Sequence, residues 1–88
     1  MNLILLTKEE GNEQLHLVPL TESKTASTIK LEKKDLVRRF MCLSETSVIF
    51  NDIKQDSHVL CVVDANSKKP DVVFTNESEI VTFNVRVQ

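Results

Sequence analysis

The side chains of this chain that could do chemistry are two cysteines and two histidines, Cys42, Cys61, His16 and His58. Nucleophilic catalysis needs a thiolate beside a base, and either histidine could serve as that base. Both cysteines, however, lie in apolar stretches, where a thiolate is disfavoured. Their spacing is not that of a zinc site, and two thiols cannot complete a tetrahedron. We therefore expect both cysteines to be reduced residues of the core.

Other catalytic patterns are also missing from the sequence. A loop that binds phosphate needs several glycines, and Gly11 is the only one in the chain. Paired carboxylates occur at Glu9/Glu10, Asp52/Asp56 and Glu77/Glu79, all in predicted turns where charges are solvated. No ordered set of oxygen ligands suggests a calcium site. The sequence therefore predicts no enzyme activity, no cofactor and no metal.

Composition limits the class of protein further. The 88 residues are 41% hydrophobic and 27% charged, which is typical of one folded domain. The net charge of −2, from 11 basic and 13 acidic residues, disfavours direct binding of nucleic acid. No apolar run is long enough to span a bilayer, and none resembles a secretory signal. We expect an intracellular protein, nuclear or cytoplasmic, that does not contact a membrane.

The N-terminal third predicts a β-hairpin. Residues 2–7 form a short apolar run, and Gly11 supplies a turn because glycine tolerates positive φ. Residues 14–18 alternate apolar and polar side chains as a returning strand does, and Pro19 ends that strand. The stretch of Thr, Ser and Lys in residues 20–28 predicts a loop.

Residues 31–42, extended by Leu43, predict one helix. Leu36, Val37, Phe40 and Met41 recur at helical spacing and would form one apolar stripe. Acidic side chains come early in this stretch and the two arginines come late, which suits the helix dipole. The helix would bury its apolar stripe and leave its charged face in water.

The rest of the chain predicts strands separated by turns. Residues 46–51, 57–64 and 71–75 are apolar runs, with a turn expected at Asn51-Asp52. Residues 79–87 alternate most regularly of all, and one set of side chains should face the core: Val81, Phe83, Val85 and Val87. We also expect the aromatic side chains of the chain to lie on core faces.

Two strands, one helix and then three or four strands predict an α+β fold. The single helix, about residues 31–43, would pack across one face of a mixed sheet of five to six strands, in the ubiquitin-like β-grasp arrangement. Residues 1–88 would form one such domain, which could be the N-terminal domain of a longer protein.

Opposite charges cluster at two places in the sequence. Glu9, Glu10 and Glu13 surround the first turn, whereas Lys33, Lys34, Arg38 and Arg39 would lie on the exposed side of the helix. The simplest interpretation is two ordinary solvated faces. A second interpretation is that opposite patches let copies of the domain attach head to tail, because charge complementarity sets register and partner choice.

Three stretches resemble the N-terminal domain of the TAR DNA-binding protein family. Residues 7–17 resemble its opening hairpin, residues 36–40 its single helix, and residues 48–52 the strand and turn that follow. The resemblance implies a ubiquitin-like, DIX-like fold, head-to-tail self-association and a role in RNA processing. It also implies that Glu9, Glu10 and Glu13 line one side of the contact, with His16 at a strand position where that family tends to have an acidic residue.

We therefore predict a protein-interaction module without catalysis that associates with itself. The alternative is a heteromeric adaptor or scaffold domain that binds another protein, such as another subunit of a complex, through an edge strand or the helix face. A small RNA-binding domain is a third, less favoured class. The residues expected at the contact are Glu9, Glu10, Glu13, His16, Lys33, Lys34, Arg38 and Arg39.

Overall fold

The computed structural model describes residues 2–19 and 26–86, and these form seven β-strands. Within these two ranges there is no helix, and so none that could cross a membrane. The strands are β1 (Asn2–Glu9), β2 (Asn12–Pro19), β3 (Ser27–Glu32), β4 (Phe40–Cys42), β5 (Ser47–Lys54), β6 (Ser57–Asp64) and β7 (Asp71–Asn76).

The strands form two antiparallel sheets that pack face to face. One sheet has three strands in the order β1-β2-β3, and the other has four in the order β4-β5-β6-β7. Alternate side chains of both sheets enter one shared core, as expected for a β-sandwich. The buried core residues are Leu15, Leu17, Ile29, Leu31, Val48, Phe50, Val59, Cys61 and Val63.

Two tight turns set the register of the hairpins. Glu9 pairs with Asn12, so Glu10 and Gly11 form a two-residue loop, and Gly11 has φ 79° as its position in the turn requires. Lys54 pairs with Ser57, and the loop residues Gln55 and Asp56 both have positive φ. Each turn thereby fixes which side chains of its two strands face the core.

The predicted α+β, ubiquitin-like fold is wrong, because the stretch expected to be its helix forms strands and a connection. Leu31 lies near the end of β3, residues 33–39 have no regular structure, and Phe40 begins β4. The stripe of helical spacing is not buried as one surface, since Val37 is 75% exposed. A short helix depends on burying its apolar face, and here the core is filled by alternating strand residues instead.

Three further sequence predictions are wrong. Asn51 and Asp52 do not form a turn but lie buried within β5. Residues 27 and 28 begin β3 and do not belong to a loop. Residues 79–86 belong to no strand, and Val81 is 66% exposed. Val87, and residues 20–25 of the predicted loop, lie outside the described residues.

Candidate functional site

One residue of the acidic cluster, Glu13, contacts one residue of the basic cluster, Arg38, within the same chain. Nε of Arg38 donates to Oε2 of Glu13 at 2.7 Å, and the two side chains are only 1% and 3% exposed. Glu13 lies on β2 of the three-stranded sheet, and Arg38 lies in the connection that leads to the other sheet. These two predicted contact residues are therefore not available to a partner.

Arg38 has further partners that make it a structural clamp. Its Nη1 lies 3.2 Å from Oδ1 of Asp52, and its Nη2 donates to the carbonyl of Glu32 at 2.6 Å. The guanidinium also lies over the ring of Phe50, 5.8 Å from the centroid. An arginine can satisfy several acceptors at once because its planar group carries five N–H donors. The cluster joins β2, β3 and β5 across the sandwich.

Asn51 holds the same connection from the other side. Its Nδ2 donates to the carbonyl of Val37 at 2.8 Å, and its Oδ1 accepts from the backbone N–H of Arg39 at 2.6 Å. The side chain thus satisfies the backbone of a segment that has no ladder partner of its own. This explains why Asn51 and Asp52 are buried in a strand although both residues are typical of turns.

The other predicted contact residues are distributed over several elements. Glu10, Lys33 and Arg39 are exposed, whereas Nζ of Lys34 donates to the carbonyl of Ile53 and lies 3.9 Å from Glu32. The side chain of Glu9 lies outside the part of the chain that the structure describes. The basic residues of 33–39 lie on an irregular connection, so the predicted basic face of a helix is wrong.

His16 links the three strands of its sheet on the outer face. Its Nε2 shares a hydrogen bond with the hydroxyl of Thr7 on β1 at 2.9 Å, and its Nδ1 shares one with the hydroxyl of Thr28 on β3 at 3.1 Å. A neutral imidazole has one donor and one acceptor, and a hydroxyl can match either. The geometry of His16 is that of a structural cross-link between strands.

The groups considered for catalysis are not brought together. Cys61 is buried and faces the core, whereas His58, an odd number of positions away on the same strand, faces outward. Burial raises the pKa of the Cys61 thiol, which disfavours a reactive thiolate. Cys42 is exposed on β4, contrary to the expectation that it is a core residue. Among the described residues, no three His, Cys, Asp or Glu side chains are grouped to hold a metal.

The most unusual surface of the molecule is β7, the last strand of the larger sheet. Every residue of this strand is exposed, including three consecutive apolar side chains. Val72 is 44% exposed, Val73 is 57% exposed and Phe74 is 52% exposed. The three-stranded sheet does not cover the inner face of β7, so both faces of the strand are open in addition to its free hydrogen-bonding edge.

The other strand edges of the sandwich are better protected. β4 is only three residues long, and the outer face of β3 carries Lys30 and Glu32. Short strands and charged side chains are common protections of sheet edges. β1 has Leu3 and Leu5 half exposed, but Ile4 on its other face packs against the core. Of the edges within residues 2–19 and 26–86, β7 is therefore the one with apolar side chains open on both faces.

A groove of about 370 Å³ runs along the inner face of β7. It is lined by Val59, Val72 and Thr75 together with three residues at the β5–β6 hairpin: Lys54, Gln55 and Ser57. β7 also contains a β-bulge, because Leu60 pairs with Phe74 whereas Cys61 pairs with Val72. The extra residue, Val73, increases the local twist of the edge.

Sequence reasoning found β7 as a strand but missed its exposure. The aromatic residues were expected to lie on core faces, and exposed Phe74 contradicts that expectation. No signal in the sequence distinguished β7, because residues 59–63 of β6 are an equally continuous apolar run and yet are buried on one face.

Comparisons of the chain with protein-family models, with curated proteins and with solved structures find no match. The resemblance to the N-terminal domain of the TAR DNA-binding protein family stays a prediction. The stretch compared with that domain's helix, residues 36–40, is not helical in this chain.

Proposed function

We propose that this domain is a non-catalytic protein-interaction module that associates with a second copy of itself through β7. The observation that supports the proposal is the exposure of Val72, Val73 and Phe74 on a strand whose hydrogen-bonding edge is also free. An edge of this kind offers backbone donors and acceptors for affinity and side-chain surface on both faces for specificity.

Energetic considerations favour a partner over a permanently solvated edge. Three half-exposed apolar side chains lie on the two faces of one edge strand, and clustered exposed apolar residues mark interaction surfaces more often than scattered ones do. Burying apolar area contributes about 25 cal/mol per Å² before the costs of association are subtracted. The groove beside Val59 and Val72 would accept side chains from the added strand.

Self-association was also predicted from the sequence, but there the contact was assigned to the charged residues and here it is assigned to β7. Glu13 and Arg38 contact each other inside the molecule, so opposite charges at these positions cannot join two copies. A heteromeric adaptor that uses the same edge remains the alternative outcome of the experiment below. RNA binding is not supported by the exposed aromatic Phe74, because the other residues of β7 are apolar, acidic or neutral polar, not basic.

Sedimentation velocity over a range of concentrations tests the proposal. We expect the average mass of the wild-type domain to rise with concentration, and Phe74→Lys to remove that rise because a charge is placed on the apolar edge. Phe74 is half exposed, so this substitution should leave the fold intact. Val37→Lys is the matched control, because Val37 is exposed on the connection before β4 and the same type of charge is added there.

A wild-type domain that stays monomeric at all concentrations would overturn self-association. An association that is equally strong in wild type and Phe74→Lys would overturn the assignment to β7. If Val37→Lys alone weakens association, the contact lies on the connection and not on the edge.

A further inference from the structure

We infer that residues 79–86 of a second copy form the strand that docks antiparallel on β7, with Arg86 of one chain beside Asp71 of the other. The inference rests on the proposed function and names the segment that the β7 edge binds. It begins from the sequence pattern of residues 79–86, which is that of a strand, although the described chain leaves them unpaired.

The main chain of this segment lacks the partners that a strand requires. No backbone–backbone hydrogen bond within the described residues involves residues 79–86. The backbone N–H of Val85 instead donates to two side chains, to the sulfur of Met41 at 3.1 Å and to Oδ1 of Asn84 at 3.0 Å. These are side-chain acceptors at one residue only, so a sheet edge could still supply the regular backbone partners that the rest of the segment lacks.

The side chains of the segment complement those of β7 in one antiparallel register. When Arg86 lies opposite Asp71, Phe83 lies opposite Phe74 and Thr82 lies opposite Thr75. Opposite charges, paired aromatic rings and paired threonines are each favourable cross-strand neighbours. All three β7 residues of this register are exposed and hence open to a partner.

The same register disfavours pairing within one chain. A hairpin between β7 and residues 79–86 would place Ser78 and Glu79 in a two-residue turn, in which both central residues of the favoured type need positive φ. Neither residue type suits that conformation.

In the described chain, Val85 reaches Met41 of β4, at the opposite edge of the sheet from β7. A second copy can supply the strand without this turn, and the twofold arrangement closes into a dimer.

Charge reversal tests the inference. Asp71→Arg and Arg86→Asp should each weaken self-association about tenfold or more, because each replaces two attractive pairs per dimer by two repulsive ones. An equal mixture of the two variants should recover association, since in a mixed dimer both arginines lie on one copy and both aspartates on the other. Energy transfer between donor- and acceptor-labelled copies measures this, with the labels on exposed Cys42 of β4, at the far edge of the sheet.

The matched controls carry the same charge changes elsewhere. Asp35→Arg and Lys30→Asp alter exposed residues outside β7. Each of these variants alone, and an equal mixture of the two, should associate like wild type. If Arg86→Asp associates like wild type while Phe74→Lys does not, β7 binds another segment and the inference fails although the proposed function stands. If the mixture of reversed copies stays as weak as each copy alone, pairing between chains in this register is overturned.

Discussion

The guanidinium of Arg38 and the carboxylate of Glu13, which are 25 residues apart in the chain, lie 2.7 Å apart in the interior of the sandwich. This contact connects β2 to the segment that links the two sheets, and Asp52 on β5 adds a second carboxylate at 3.2 Å. Charges buried in this way must be paired, because an isolated buried charge is very costly.

The buried charge cluster leads to a prediction about stability. Arg38→Ala should lower the free energy of unfolding by about 3–5 kcal/mol, because it leaves two buried carboxylates without their cation. Arg38→Lys should cost less but still destabilise, since one ammonium cannot reach all the acceptors of the fork-shaped guanidinium. Urea denaturation measures both. The control is Arg39→Ala, whose side chain is exposed and should change stability by no more than about 0.5 kcal/mol. Equal effects at the two positions would contradict a clamp at Arg38.

The two cysteines should react with a thiol reagent at very different rates. Cys42 is exposed, whereas Cys61 is fully buried and its thiol has a raised pKa because burial disfavours the thiolate. The native protein should therefore react rapidly at one thiol and at the second only after denaturant is added. Cys42→Ser should remove the rapid phase. A rapid phase that persists in Cys42→Ser would show that Cys61 is accessible.

Asp64 should contribute to the pH dependence of stability. The backbone N–H of Asn66 at 2.8 Å and the hydroxyls of Ser47 and Thr46, each at 3.0 Å, donate to its carboxylate and lower its pKa below the usual 3.8. A lowered folded-state pKa gives stabilisation that is present above the unfolded pKa and is lost as the pH falls through the folded one.

Urea denaturation of wild type and Asp64→Asn at several pH values checks this prediction. The variant should be less stable above about pH 5, and the difference should disappear in more acidic solution as the wild-type carboxyl is protonated. A difference that is constant between neutral and acidic pH would mean that the charge of Asp64 contributes nothing.

The sequence predicted the strands with short-range signals and missed what depends on tertiary partners. β1, β2, β5, β6 and β7 follow from apolar runs, alternation and turns such as Gly11. The helix prediction was wrong because the spacing of Leu36, Val37, Phe40 and Met41 is only a local signal. Tertiary contacts in the folded chain override such a signal. Arg38, which the helix prediction left in water, is buried instead, because Glu13 and Asp52 bind it from distant parts of the chain.

The candidate site was predictable only in part. The charged residues were conspicuous in sequence, but the clamp within one molecule could not be distinguished from a contact between molecules without the sheet topology. The β7 edge was recognisable as a strand. Its exposure follows from a three-stranded sheet facing a four-stranded one, and the sequence carries no local signal for the number of strands in each sheet.

Amide hydrogen exchange of β7 at increasing protein concentration tests the self-association of this domain most directly. Between about 10 µM and about 1 mM, the amides of β7 that point away from β6 should become more protected as the edge gains a partner. The amides of β3, the edge on the other sheet, should exchange at constant rates. Exchange in β7 that does not change with concentration, in a range where the mass of the protein rises, would contradict pairing at this edge.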